Sequence, residues 1–557
     1  MSIPRLLNRS RRCTLTRLVL VALAQAGVSV VMALQVQYAF DHWFGATAGT
    51  APLPAVAIGA GLLLAGAGAA WLRLRERVEA ERLGQSYAYS VRMALYDHLG
   101  DLDPRTLQGR SRGGNLLRFI GDLTALRQWV SQGLVRLLVV SVTATGAVTA
   151  LACINLRLSV GVAAVMLIGA SLALLTGTHM QRAVRESRRR RARLAANVNE
   201  QIATMSVVQV FDQVRRERAR LARQSRSLRD AMIERARVIG QLRAITEGTG
   251  AAAMALTLSI GAREFSQGRA TAGTVAAAIT VLGMLMPALR DLGRVHEYWH
   301  GYCVAREKID GFLAVRPQVR QTRSATDLAA DRGHIELRNV SVDGIIADLS
   351  AQARPGSVVT ICGPNGSGKS TLLNLVARLL DPDRGQVLID GQDLACLTLS
   401  SIRRVVGVVS PDLPLMRGSI ERNLRYRWPG APEEELRRVC RLCGVDTLLE
   451  ELPDGTRTRV VDGGANLSLG QRQRLSLARA LLGNPCILLL DETDANLDTA
   501  SRRALDRVLA QYRGTVLFVT HRRERIAAAD VVWHIEDGTF KPIHDRDRGM
   551  TDERYAA

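Results

Sequence analysis

The sequence predicts a membrane α-helical bundle of six transmembrane helices with long cytosolic extensions, followed by an α/β domain built around a phosphate-binding loop. Three observations carry this. Six apolar runs of about bilayer length fill the first half, with arginine-rich stretches among them. Residues 361–380, ICGPNGSGKSTLLNLVARLL, pass from an apolar strand through a glycine-rich turn into an apolar helix. CILLLDE then sets two carboxylates at the end of an apolar strand, about 120 residues further on.

The first run, Leu18 to Phe40, is longer than the apolar core of a secretory signal and is followed by more spans, so it reads as an uncleaved helix. The second covers Ala51 to Trp71. Asp41 and His42 lie between these two, without Lys or Arg. The third runs from near Val130 to near Ile154 and the fourth from Val160 to Thr178, with only Arg157 in the link. The fifth covers Ala244 to Ala262 and the sixth Ala270 to Leu289. Basic residues are scarce after the odd-numbered runs and dense after the second and fourth. That asymmetry puts both termini, and residues 72–129 and 179–243, in the cytoplasm of a multi-pass plasma (inner) membrane protein. Both basic stretches are longer than a loop requires and read as helical. The glycines of IGAGLLLAGAGAA suggest close helix packing.

Composition agrees. The 557 residues suit about two to four domains. Hydrophobic residues make up 47% but aromatics only 4%, so the apolar mass is mainly Ala, Leu and Val. A net charge of +22 raises the question of nucleic acid. The arginines answer it: they sit beside apolar runs, at Arg9, Arg11, Arg12 and Arg17 and again from Arg182 to Arg193, so no nucleic-acid partner is expected. Cys440 and Cys443 make a single C-x-x-C with no second pair to complete a zinc site, and read as reduced structural thiols. Cys362, just before the loop, is a candidate for oxidation.

The second half begins near Gly333, where GHIELRNVSV alternates like a strand; Arg316 to Asp331 is polar. The expected domains are therefore 1–315, a linker 316–332, and 333–557. Val358 to Ile361 is a β-branched strand. Gly363, Gly366 and Gly368 let the backbone turn inward N–H groups toward an oxyanion, and the following helix N-terminus adds to the attraction. Lys369 reaches the β and γ phosphates of ATP, and Ser370 ligates Mg²⁺. Asp491 is the second metal residue, acting through water, and Glu492 is placed to polarise attacking water. LSLGQ from Leu467 opens an amphipathic helix, with Ser468 and Gly470 as an anion site. His521 ends VLFVTH, where it can meet the γ-phosphate.

Taken together these motifs resemble ABC exporter half-transporters, over nearly the whole chain. GPNGSGKST resembles the Walker A loop, LSLGQ the signature, LLLDE the Walker B strand, ANLD at 495–498 the D-loop, and VTHR the switch histidine. GGNLLRFIGDLTAL from Gly113 resembles the first cytoplasmic loop and NEQIATMSVVQVF the second, with Glu200 at the family's glutamate; AREKIDGFL resembles the close of the membrane domain. The resemblance implies an ABC-type ATPase domain, ATP and Mg²⁺ as cofactors, and a nucleotide site of Gly363, Pro364, Asn365, Gly366, Ser367, Gly368, Lys369, Ser370 and Thr371. It adds Ser468, Gly470, Gln471 and Asp498, with Glu492 and His521 as catalytic residues. In the family the Walker A loop and Glu492 of one chain face Ser468 and Gly470 of a second chain, so one copy of each implies a homo- or heterodimer. It also implies membrane lipid as surroundings and export of a small-molecule, lipid or peptide substrate by alternating access.

Three departures stand out. Pro411 takes the place of the family's glutamine, beside Ser410 and Asp412. No aromatic lies between Gly333 and Gly363 to stack on adenine. Leu469 replaces the signature's third-position glycine. The first two leave open a weaker member of a heterodimer, and a non-transporting membrane ATPase. Gln25, Ser29 and Met32 fall at helical spacing and either line a path or pack. His296 and His300, four apart, form a possible two-ligand metal site.

Overall fold

The apolar stretches become long helices here, and the sixth stays helical through Pro287, which cannot donate to the i to i−4 ladder. The computed structural model describes residues 3–43, 55–103, 106, 121–319, 321–322, 324–330, 332–495 and 497–542. Its chain divides into two units, Met1–Gly100 with Gln108–Arg316, and Asp101–Leu107 with Pro317–Ala557.

In the first unit the helices are α1 (Arg9–Trp43), α2 (Ala55–Asp101), α3 (Leu123–Gln128), then a π-helical turn Trp129–Leu134 that runs on into α4 (Val135–Ile154). They continue as α5 (Leu156–Leu175), α6 (Gly177–Ala203), α7 (Met205–Val210), α8 (Val214–Ser266) and α9 (Ala272–Leu313). The six apolar runs lie on these helices apart from Thr176, Ala270 and Thr271, and from 51–54, which are outside the described residues. Arg9–His42, Val56–Asp101 and Leu123–Ile154 are long and apolar enough to cross a membrane, while Leu156–Leu172 and Ala272–Met284 are shorter apolar stretches. The fifth run forms the end of α8, a helix of 53 residues, about 80 Å at 1.5 Å per residue. Gly113 to Ile120 of the expected first loop lie outside the described residues.

Polar contacts fix the links. Asp41 Oδ1 accepts from the Gly273 N–H at 2.9 Å, so a carboxylate meets the positive end of α9. Glu264, buried at the end of α8, pairs with Arg157 at 2.7 Å and Arg269 at 3.3 Å. Between them Leu151, Leu158, Val162, Ala253, Ala278 and Leu282 form a core of α4, α5, α8 and α9. The expectation of close packing along the glycines of α2 needs correction. Only Gly61 of that run approaches a neighbour, the Gln35 side chain, while Gly59, Gly66 and Gly68 face open space. Small residues permit close approach but do not compel it.

The second unit is α/β. An antiparallel sheet of order β2-β1-β4-β5 is built from β1 (Ile335–Val342), β2 (Ile346–Ala353), β4 (Arg384–Ile389) and β5 (Gln392–Asp393). A second sheet has the order β12-β11-β3-β10-β9-β6. Its strands are β3 (Val358–Cys362), β6 (Val406–Val409), β9 (Ile487–Asp491), β10 (Thr515–Val519), β11 (Val531–Glu536) and β12 (Thr539–Pro542); β7 (Gly418–Ser419) and β8 (Arg459–Val460) pair separately. The helices are α10 (Lys369–Val376), α11 (Leu399–Val405), α12 (Ile420–Leu424), α13 (Glu433–Leu442), α14 (Val445–Glu451), α15 (Leu469–Leu481), α16 (Thr499–Gln511) and α17 (Arg523–Ala527).

The central pairings β3–β10, β10–β9 and β9–β6 are parallel. Buried on both faces, these strands read as continuous apolar runs. Their carboxyl ends lie side by side, the edge where open α/β sheets bind ligands. The polar stretch after Pro317 is partly anchored: Leu328 is buried in the core of this unit and its N–H donates to Ser401 Oγ at 2.9 Å.

Candidate functional site

The loop between β3 and α10 requires its glycines. A Cβ at Gly363 would strike the Ile535 carbonyl, and Gly368 has φ +101° with Ile345 and Ile346 packed against it. The loop closes on Lys369, whose Nζ donates to the Gly363 carbonyl at 2.8 Å and to that of Pro364 at 2.9 Å. Burial pushes the Lys369 ammonium down from its ordinary value, opposed by the charges of Glu492 and Asp491. Ser367 is buried and its hydroxyl lacks a hydrogen-bond partner, an unmet polar group of the kind a phosphate oxygen satisfies. Thr371 is buried, whereas Pro364, Asn365, Gly366 and Ser370 are exposed.

β9 and β10 deliver the acids. Val519 is in register with Asp491, and the Glu492 N–H donates to the Val519 carbonyl at 3.0 Å. Glu492 then takes the left-handed conformation, φ +47°, which an L residue adopts only under constraint. Its Oε1 lies 3.8 Å from His521 Nε2, and both side chains are about half exposed. Ser370 Oγ is 3.2 Å from Asp491 Oδ1, and Ser410 Oγ is 3.3 Å from Oδ2. Burial, with the nearby charge of Glu492, raises the Asp491 carboxyl above its ordinary value, against the lowering by the two hydroxyls. This all-oxygen set suits Mg²⁺.

Ser468, Gly470, Gln471 and Asp498 gather at the N-termini of α15 and α16. Ser468 Oγ accepts from the Gln471 N–H at 3.2 Å while Gln471 Oε1 accepts from the Ser468 N–H at 2.9 Å, a reciprocal capping box. Asp498 Oδ1 accepts from the Ser501 N–H at 2.7 Å, and the Ser501 hydroxyl together with this N–H holds its carboxyl below the ordinary range. Gly470 is buried against both: a Cβ there would lie 2.5 Å from Ser501 Oγ and 2.7 Å from Asp498 Oδ2.

The fold thus brings Lys369, Ser370, Asp491, Glu492 and His521 into one group and Ser468, Gly470, Gln471 and Asp498 into another. Among the described residues no hydrogen bond or ion pair joins these five to those four; Asn496 of the ANLD stretch lies outside them. Sequence reasoning missed Ser410 as a partner of Asp491, although it stands beside the substituted Pro411. It also missed buried Asp494, which accepts from Thr520 Oγ1 at 2.5 Å and so ties the turn after Glu492 to the residue before His521.

The missing adenine aromatic has a structural counterpart. β1 and β2 are joined by a tight turn in which the Ile345 N–H donates to the Val342 carbonyl at 2.9 Å, so Ile345 packs beside Gly368 and no ring is present. Leu469 is exposed. Cys362 is buried and its thiol is pushed up to about 11, which disfavours the reactive thiolate. Cys440 and Cys443 are buried and unpaired. Among the described residues no group of His, Cys, Asp and Glu is placed to hold a metal. The His296 side chain lies outside them.

In the membrane unit, Gln25, Ser29 and Met32 line one cavity of about 530 Å³. Gln25 also packs: its Nε2 donates to Glu76 Oε2 at 2.8 Å.

The comparisons with known proteins agree with this geometry. Residues 15–289 match the ABC transporter transmembrane region and residues 346–495 the ABC transporter ATP-binding family. The chain is 28% identical to an uncharacterized ABC transporter ATP-binding protein, YknV, of Bacillus subtilis, over 82% of this chain and 77% of that protein. It is 27% identical to an ATP-dependent lipid A-core flippase of Desulfotalea psychrophila, over 82% and 81%. The fold resembles that of a bacterial Atm1-family ABC exporter with ATP bound, with a TM-score of 0.83 at 24% identity over 95% and 94% of the two chains. With a membrane region and an ATP-binding domain in one chain, this protein belongs to the ABC transporter family as an exporter-type half-transporter, a membrane ATPase coupled to transport.

Proposed function

We propose that two such half-transporters bind ATP at a shared seam and use its hydrolysis to export an apolar or amphipathic compound from the cytoplasm. One observation carries this reading: the two groups of site residues occupy different places on one chain. Lys369 and the glycine loop then hold the phosphates, Ser370 and Asp491 hold Mg²⁺, and Glu492 orients water with His521 beside it. The capped helix start at Ser468 and Gly470, with Gln471 and Asp498, faces the nucleotide of the other chain. Mg²⁺ when bound neutralises phosphate charge. Closure and reopening bias the membrane helices between two states, as ligand-driven population shifts require. The basic stretches after the second and fourth spans support cytoplasmic termini and a cytoplasmic ATPase domain.

The test is ATP-dependent uptake into inside-out vesicles, with crosslinking to follow ATP-induced dimer closure. Closure and uptake, both lost in Lys369→Ala, are expected. A chain that stays monomeric with ATP, or moves none of a panel of lipids, peptides and amphiphiles, overturns the reading.

A second reading rests on Pro411 and on the ring-free turn at Val342–Ile345: the chain is the weaker member of a heterodimer. ATP turnover that appears only on adding a second half-transporter supports it. Robust turnover by the purified chain, abolished by Glu492→Gln, rules it out.

A further inference from the structure

We propose that the membrane cavity binds an amphipathic anion, head toward one end and apolar body toward the other. This rests on the transport reading above and specifies its substrate class.

The cavity wall carries four guanidinium groups, those of Arg73, Arg77, Arg136 and Arg294, and a single carboxylate, Glu76. Glu76 is already engaged, by Arg136 at 3.2 Å and by Gln25. Among the described residues Arg73, Arg77 and Arg294 form no ion pair. Arginines at the end of a span ordinarily answer to the membrane surface. With Arg136, these exposed arginines come from α2, α4 and α9 and line the wall of one open cavity, where like charges repel and a counter-charge is attracted.

The wall is graded along its length. Along α2 it runs from Gly66 and Ala69 to Arg73 and Arg77, about 16 Å of helix axis. The adjoining helices carry the same residue types: on α4 Arg136 stands before Val139 and Ala147, and on α9 Val281 and Met284 stand before Arg294. One end is cationic and the other apolar. A guanidinium pairs with phosphate or carboxylate by two parallel N–H donors, which favours an oxyanion head over a halide-like point charge. At about 530 Å³ the space suits one such molecule.

Radiolabelled dodecyl phosphate is titrated into the full chain in phosphatidylcholine nanodiscs. Inorganic phosphate, dodecyltrimethylammonium and dodecyl maltoside serve as competitors. Saturable binding is expected, with each competitor at least about tenfold weaker than unlabelled dodecyl phosphate. Combined Arg73→Gln, Arg77→Gln and Arg294→Gln is expected to weaken binding about tenfold or more. The three Lys replacements at the same positions keep the charge but not the paired donors and are expected to bind more tightly than the Gln variant, which separates loss of charge from loss of fold. Equal competition by the cation or the neutral detergent overturns the anion. Inorganic phosphate as effective as dodecyl phosphate overturns the apolar body. Binding unchanged in the Gln variant overturns the site. If these fail while ATP-induced dimer closure and vesicle uptake of another compound persist, only the substrate class falls; loss of closure and uptake in the unmodified chain sinks the transport reading itself.

Discussion

Ser410 sets its hydroxyl 3.3 Å from Oδ2 of Asp491, on the opposite carboxylate oxygen from Ser370. The neighbouring Pro411 has no side-chain amide, so the hydroxyl one residue earlier is the polar group that this segment offers to the carboxylate. Ser410→Ala is expected to raise the Mg²⁺ concentration for half-maximal ATP turnover by up to about tenfold, as loss of one hydrogen bond to a charged group implies. Mg²⁺ titration at saturating ATP measures it, and an unchanged midpoint refutes the role.

Lys369 rests on two carbonyls of its own loop rather than on the core. Lys369→Ala should therefore leave the domain folded while lowering ATP turnover about 100-fold or more, the scale for loss of a charge-stabilising donor. Thermal unfolding and phosphate release distinguish the two effects.

Glu492→Gln keeps the constrained backbone at φ +47° and removes only the charge. Turnover is expected to fall about 100-fold or more, the scale of general-base loss, with ATP binding retained. Equilibrium binding of a fluorescent ATP analogue, set beside turnover, checks both parts.

Gly470→Ala pushes a methyl into Ser501 and Asp498. The expected cost is about 1–3 kcal/mol of domain stability, as for overpacking elsewhere, with a loss of turnover because the Asp498 cap moves. Leu469→Gly, one residue earlier on the exposed side, is the contrasting control: it should leave the packing of α16 intact. Denaturant unfolding of both variants measures the difference.

Asp491 gives a pH signature. Its folded-state value is raised by burial, so the protonated form is favoured in the folded domain. That contribution is complete below the ordinary Asp range and is lost as pH rises through the raised value. Asp491→Asn should therefore melt higher than the natural chain at neutral pH without nucleotide, and the gap should close on acidification. Melting curves from about pH 7 to pH 4 test this; a gap that widens toward acid contradicts it.

Much of the fold was legible because its signals are local. Apolar runs dictate helices in lipid, Val358 to Cys362 can hardly be anything but a buried strand, and the spacing from Gly363 to Ser370 belongs to one backbone shape. The charge of the chain and the place of its arginines separated membrane from nucleic acid. What stayed hidden depends on approach in space. That Ser410 reaches Asp491, that Thr520 holds Asp494, and that Gly470 is filled by Ser501 and Asp498 are facts of three-dimensional packing between segments tens of residues apart. The glycines of α2 failed as a guide for the same reason, since a small side chain only allows contact.

By itself the sequence determined that the chain is a membrane ATPase half and which residues are the candidates for holding phosphate, because both follow from short-range chemistry written in consecutive residues. The tertiary structure alone decided which arginines meet around one cavity, since Arg73, Arg136 and Arg294 are far apart in the sequence and line the same wall only once α2, α4 and α9 are folded, where their like charges act on one space.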